Sequence, residues 1–255
     1  MLRYETAGPS AVLTIDDQER RNPITAAVVE GLLDGLARAC VDDEIRAVIV
    51  TGAGDRAFSA GGDLAGGFFG SPLEGHADRG GLAEVFRSMR RCPKPVLARV
   101  NGHALAGGFG LAAACDMVIA VDTATFGTPE VKVGLWPMMI SAVLQRLIPQ
   151  RAAFELMMTG RRIDAAEAQR LGVVSQVVAP DTLDAAVEEA VAALVALSPA
   201  VVALGKRAFY AVEDMPFDAA LDHLQLGLTS VAMTEDAPEG MQAFIEKRDP
   251  VWRGR

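Results

Sequence analysis

The chain has 255 residues, 51% of them hydrophobic and 22% charged, with a formal net charge of −9. This is enough apolar material for one large core, or a core with an appendage, and too little charge for a disordered chain. The acidic balance argues against a nucleic-acid partner, whose phosphates need lysine and arginine to displace counterions, but a local basic cluster can still hold a small anion.

Aromatic residues make up only 5%, so alanine, valine and leucine must fill the core. No apolar run is long enough and free enough of charge to span a bilayer, so no membrane partner is expected. Met1-Leu2-Arg3-Tyr4-Glu5 is not followed by an apolar signal core, and a cytoplasmic location is the expectation. Cys40, Cys92 and Cys115 are far apart, with neither a disulfide framework nor a metal-ligand spacing. They read as buried, inert thiols.

In chain order, Ala11 to Ile15 reads as a strand closed by Asp16-Asp17. Thr25 to Cys40 carries Val28, Val29, Leu32, Leu33 and Leu36 at helical spacing, with Thr25 as N-cap. Ala47 to Thr51 is a β-branched run bounded by Gly52-Ala53-Gly54-Asp55, and reads as a buried strand. Gly61 to Gly81 is glycine-rich and predicts a long loop. Leu82 to Arg91 predicts a helix that Pro93 and Pro95 end. The rhythm then repeats: a strand from Val96 to Val100, a glycine turn, a helix from Gly108 to Cys115 and a strand from Met117 to Val121. After Pro149 helical periodicity dominates, over 151–159, 164–171, 181–197, 199–212 and 217–233. Val173 to Val178 is the one strand candidate there. The pattern is an α/β core with an all-α C-terminal part, divided near Ser198-Pro199.

Two segments carry chemistry. In Phe58-Ser-Ala-Gly-Gly-Asp63, small residues leave the backbone N–H of Ala60 open to a ligand, and Gly61 and Gly62 allow backbone angles that larger residues resist. Asn101-Gly-His-Ala-Leu-Ala-Gly-Gly108 follows a strand and opens a helix, whose first N–H groups and dipole favour developing negative charge. Alone, each is also a plain turn.

Both motifs in this order, followed by Phe126-Gly-Thr-Pro-Glu130, resemble the crotonase family, also called the enoyl-CoA hydratase/isomerase family. The likeness runs from Arg20-Arg-Asn-Pro-Ile-Thr25 through Thr159-Gly-Arg-Arg-Ile-Asp-Ala-Ala166 and Leu171-Gly-Val-Val174 to Glu239-Gly-Met-Gln-Ala-Phe-Ile-Glu-Lys-Arg248. It implies a crotonase-like ββα spiral core over 1–197 and a C-terminal helical trimerisation region over 198–255. It also implies a homotrimer or a dimer of trimers. The implied ligand is an acyl-CoA substrate, with no metal and no cofactor beyond the CoA of that substrate.

By position, the resemblance makes Ala60 and Gly107 the backbone donors to a thioester oxygen and Glu130 the acid/base. It places Arg20 and Arg21 near the CoA phosphates, and Phe244 and Lys247 on a C-terminal helix that can reach CoA. Gly61, Gly62, Asp63, Gly108 and Trp136 complete the expected substrate contacts. Asp63 can instead hydrogen-bond within its loop, and Trp136 with Met138 and Met139 can line an acyl pocket or simply pack. His103 stands where the family has an aromatic residue and reads as packing.

One departure is informative. Many family hydratases use two glutamates, and the position of the first is Gly110 here. Glycine can neither orient water nor accept a proton. The expected activity is therefore hydration or double-bond isomerisation of an enoyl-CoA by a single glutamate, with weight on isomerisation. Thioester hydrolysis, carbon–carbon cleavage and non-catalytic acyl-CoA binding stay open.

Overall fold

β-branched runs between turn residues form strands, and amphipathic runs form the helices that cover them. The computed structural model describes residues 1–63 and 74–255. The chain begins with β1 (Leu2–Ala7) and β2 (Ser10–Ile15), then α1 (Ala26–Val41). Three strand–strand–helix turns follow. They are β3 (Ala47–Gly52), β4 (Ala57–Ser59) and α2 (Glu74–Arg91); β5 (Val96–Val100), β6 (His103–Leu105) and α3 (Gly107–Ala113); and β7 (Met117–Val121), β8 (Thr125–Gly127) and a short 3-10 turn, Pro129–Val133. The rest is α4 (Met138–Leu147), α5 (Gln150–Thr159), β9 (Arg162–Asp164), α6 (Ala165–Arg170), β10 (Gln176–Val178), α7 (Leu183–Val195), α8 (Pro199–Ala211), α9 (Phe217–Ala232) and α10 (Asp236–Glu246).

The strands sort into two sheets. A six-stranded sheet has the order β1-β2-β3-β5-β7-β10, and a four-stranded sheet has β4-β6-β8-β9. Only the β1–β2 and β8–β9 pairs are antiparallel. The central strands β3 and β5 are buried almost throughout, as parallel strands covered on both faces must be.

The predicted α1 holds, with Thr25 Oγ1 accepting from Val28 N. The predicted loop over 61–81 is corrected in part. Residues 74–81 belong to α2, whose glycines did not prevent a helix, and 64–73 lie outside the described residues. The sequence reading missed β1 and the three-residue strands β4, β6, β8 and β9, which are too short to show a period. Among the described residues, no single helix is long and apolar enough to cross a membrane.

Two buried asparagines tie the loops together. Asn22, at φ 56, donates from Nδ2 to the carbonyls of Ala53 and Ala57, and its Oδ1 accepts from Asp17 N. Asn101 Nδ2 donates to the carbonyls of Gly52 and Gly54. These side chains satisfy carbonyls that no strand reaches. Asn22→Ala removes the donor to Ala53 O, leaves Ala57 O only the longer 3.4 Å bond from Asn101 Nδ2, and takes the acceptor from Asp17 N. It is expected to cost about 2–3 kcal/mol, measured as a lower urea midpoint.

Candidate active site

Strands β4, β6 and β8 run parallel, so their C-terminal ends emerge along one edge of the smaller sheet. Those ends deliver residues 60–62, 106–107 and 128–130. Ser59 pairs with Ala104, and Leu105 pairs with Gly127. The register therefore sets Glu130 three residues beyond the partner of the residue that begins the Leu105-Ala106-Gly107 turn. Strand ends of this kind are the usual place for a site in parallel sheets.

The turn at Ala106 is strained. Its φ of 50 with ψ of −128 is a region that residues with a Cβ avoid, at a cost of about 1–3 kcal/mol. The Ala106 N–H donates to Gly127 O at 2.8 Å and fixes the turn. Gly61, at φ 97, lies against it. A Cβ there would come 2.6 Å from Ala106 Cβ and 3.1 Å from Gly107 N. A Cβ on Gly107 would sit 3.6 Å from Gly62 N. The two loops thus bring the N–H groups of Gly62 and Gly107 side by side. Neither has an acceptor among the described residues.

This geometry corrects the reading of Ala60 as an open donor. The Ala60 N–H donates to Arg21 O at 2.9 Å, because Arg21 and Asn22 both adopt left-handed backbone and turn that carbonyl inward. Gly61 N is occupied as well, by Ser59 Oγ at 3.2 Å. Gly62 is the next N–H along, and its neighbours Ile24 N and Asp63 N bond to Gly61 O and Ile24 O. Gly108 is closely packed against the same strand end. A Cβ there would meet Ser59 O at 2.4 Å. α3 has only seven residues, so the N–H of Gly107 itself counts for more than a helix dipole.

Glu130 stands at the second position of the 3-10 turn, after Pro129. Its Oε2 is buried without a hydrogen-bond partner. Burial raises its carboxyl above the ordinary glutamate range, partly offset by its own backbone N–H. Gly110 is enclosed by apolar side chains. A Cβ on it would lie 2.8 Å from Ile140 Cγ1 and 3.0 Å from Phe86 Cζ. Ile140 of α4 and Phe86 of α2 therefore fill the direction in which a side chain at 110 would extend.

A cavity of about 470 Å³ is lined by Ala60, Arg21, Arg56, Arg162, His103 and Leu105, among others. Arg56 and Arg162 were not legible as site residues, since 106 positions of chain separate them. His103 is half-buried with Nδ1 2.9 Å from Thr125 Oγ1. Burial lowers its pKa, and Arg162 and Arg21 push the same way. Arg20 is not free toward this space. It forms ion pairs with Asp17 at 2.6 Å and with Asp63 at 3.0 Å. Asp63 thereby ties its loop to the distant turn at Arg20.

The remaining candidates are Trp136, Phe244 and Lys247. Trp136 packs its ring on Phe154 at 6.3 Å, and Met138 is exposed. Phe244 is 85% exposed near the end of α10, and Lys247 caps that helix in left-handed backbone.

Comparison with known proteins agrees with the motif likeness. A family model described as enoyl-CoA hydratase/isomerase matches residues 6–255. A carnitinyl-CoA dehydratase of Citrobacter koseri is 37% identical over 262 residues, covering 100% of this chain and 98% of that protein. One from Salmonella typhimurium is 38% identical over 256 residues, covering 97% and 96%. The crystal structure of an enoyl-CoA hydratase from Bacillus anthracis superposes with a TM-score of 0.95 at 30% identity, covering 100% of this chain and 99% of that one. One from Mycobacterium smegmatis gives 0.95 at 32% identity, covering 98% of each. This chain belongs to the enoyl-CoA hydratase/isomerase family of acyl-CoA enzymes.

Proposed function

We propose that this enzyme moves a proton at the α carbon of an acyl-CoA with Glu130 alone, and that double-bond isomerisation of an enoyl-CoA is its principal reaction. The thioester oxygen is held by the N–H groups of Gly62 and Gly107. The observation that carries the reading is the filling of the space at Gly110 by Ile140 and Phe86, together with the buried, unpartnered Oε2 of Glu130. A second carboxylate to orient water has no room there.

The steps follow from this chain's residues. The Glu130 carboxylate takes the α proton, and the electron pair moves onto the thioester oxygen as an enolate. Two fixed donors stabilise that oxygen by about 3 kcal/mol each. The protonated Glu130 returns the proton at the γ carbon, which shifts the double bond. Burial keeps the proton on Glu130 between the two steps. Arg21, Arg56 and Arg162 around the cavity next to Ala60 suit the phosphates of CoA. Phe244 on α10 and Lys247 at its end can add to that grip, as exposed side chains that a neighbouring subunit can present.

A second reading is favoured by the name carnitinyl-CoA dehydratase borne by the relatives. Glu130 would remove the α proton and return it to a departing β-hydroxyl on the same face. Assay of 2-enoyl-, 3-enoyl- and 3-hydroxyacyl-CoA with product mass distinguishes the two. Unchanged mass with a shifted double bond is expected, and exchange of one water at the higher rate would favour the second reading. Thioester hydrolysis, which frees CoA, would defeat both.

We also infer assembly through 198–255, as a trimer or a pair of trimers. α8, α9 and α10 expose Phe209, Phe217, Leu226, Leu228, Phe244 and Ile245, each at least 70% accessible in the isolated chain. Such a surface asks to be covered. Light scattering should give three or six times 26.9 kDa.

Glu130→Gln should lower kcat by about 10²–10⁴. In the active enzyme, kcat/KM should fall on acidification, with its midpoint above the ordinary glutamate range, since the protonated form cannot accept the α proton. The stability sign is opposite. A raised carboxyl pKa means that stability falls as pH rises from the ordinary value through the raised one, where folding buries the charge. Glu130→Gln should therefore melt at the same temperature as the parent or higher near neutral pH. Gly62→Pro deletes one donor where a Cβ would meet open space. It should reduce kcat by about 10²–10³, with binding of free CoA retained.

A further inference from the structure

Cys40 and Cys92 are 52 positions apart in the chain, yet their Sγ atoms lie 2.8 Å from each other. Cys40 is in the last turn of α1, and Cys92 directly follows α2. The expectation of isolated inert thiols holds for Cys115, which is buried and bonded to Leu111 O, but not for this pair. The fold therefore holds the two sulfurs in direct contact.

The surroundings favour a negative sulfur on Cys92. Lys206 Nζ is anchored by Asp116 Oδ2 and by the carbonyls of Met89 and Lys94. Lys94 Nζ bonds to the carbonyls of Ala39 and Asp42, at the end of α1. The thiol of Cys40 holds Cys92 down to about 7, helped by the N–H of Lys94 and the charge of Lys206, while Cys40 is pushed well above the usual thiol range. Cys92 is 2% exposed, whereas Cys40 is only half-buried and can be reached from solvent.

We propose that Cys40 and Cys92 form a dithiol that a hydroperoxide converts to a disulfide, clamping the end of α1 to the end of α2. The Cys92 thiolate attacks the peroxide, the O–O bond breaks, Cys92 becomes a sulfenic acid, and the alkoxide or hydroxide leaves to take a proton from solvent. Cys40 then attacks the Cys92 sulfur, and its proton leaves with the departing hydroxyl. The S–O bond breaks, the S–S bond forms and water departs. Two sulfurs lose two electrons in all, and one peroxide gains them. The sulfurs need to close by under 1 Å to reach the disulfide length of about 2.05 Å. α2 also carries Leu82 and Phe86, which stand against Gly107 and Gly110, so the clamp fixes one wall of the site.

The test uses the full-length protein, reduced, desalted and titrated with hydrogen peroxide. Thiols are then counted after denaturation, and the cross-linked peptide is sought by mass. The expected count falls from three to one, with a Cys40–Cys92 peptide that dithiothreitol cleaves. Cys115→Ser should form the same bridge, and Cys40→Ser should not. The oxidised protein should melt about 5–10 °C higher, because the bridge closes a long loop of the unfolded chain. Three remaining thiols, or sulfinic acid at Cys40 or Cys92 without the bridged peptide, would overturn the dithiol. A bridged protein that melts with the reduced one would overturn the clamp.

Discussion

The site depends on one contact: the loop of Gly61 pressed against the turn of Ala106 and Gly107. The gap there admits no Cβ on Gly61, and Ala106 pays for its own with a backbone angle that alanine avoids. Three strands hold this contact from beneath. β4 and β8 both pair with β6, so the two loops and the Glu130 turn leave one sheet edge at fixed spacing. Asn22 and Asn101 hold it from the side, through carbonyls of 52–57. Because backbone atoms form the pair of donors, what the sequence must specify is the absence of side chains around them.

The same economy governs Glu130. A buried carboxyl without a partner destabilises the fold whenever it is charged, and a better hydrogen bond would remove that cost. It would also remove the readiness to take a proton. The apolar wall of Ile140 and Phe86 leaves no room at Gly110 for a second carboxyl. Lys206 and Asp116 make the contrast. There a buried amine and carboxylate are joined at 2.6 Å, with Tyr210 and backbone groups completing the set, so each charge has its partner.

Long elements and motifs could be read from the sequence because both carry local signals. α1, β3, β5 and β7 announce themselves by period and β-branching, and Glu130 by its place after Phe126-Gly-Thr-Pro. The three-residue strands could not be read, having no room for a period, although they position the whole site. The donor was misplaced by two residues for a related reason. Small residues at 60, 61 and 62 all look equally open, and only the inward carbonyl of Arg21 decides which N–H is taken. Arg56 and Arg162 escaped because a cavity gathers residues without regard to their order in the chain.

The separation of the arginine-lined cavity from the Gly110 wall divides the work of recognition. The cavity borders Ala60 and the back of β6, on polar and charged groups that suit an anion common to every CoA ester. The apolar wall at Gly110 comes from α2 and α4 instead. Neither Phe86 nor Ile140 lines the arginine-lined cavity, so changes at either leave that cavity's lining in place. A change at Gly61 or Ala106 moves the turn that both donors share, so the position that looks least chemical in the sequence is the one the reaction can least spare.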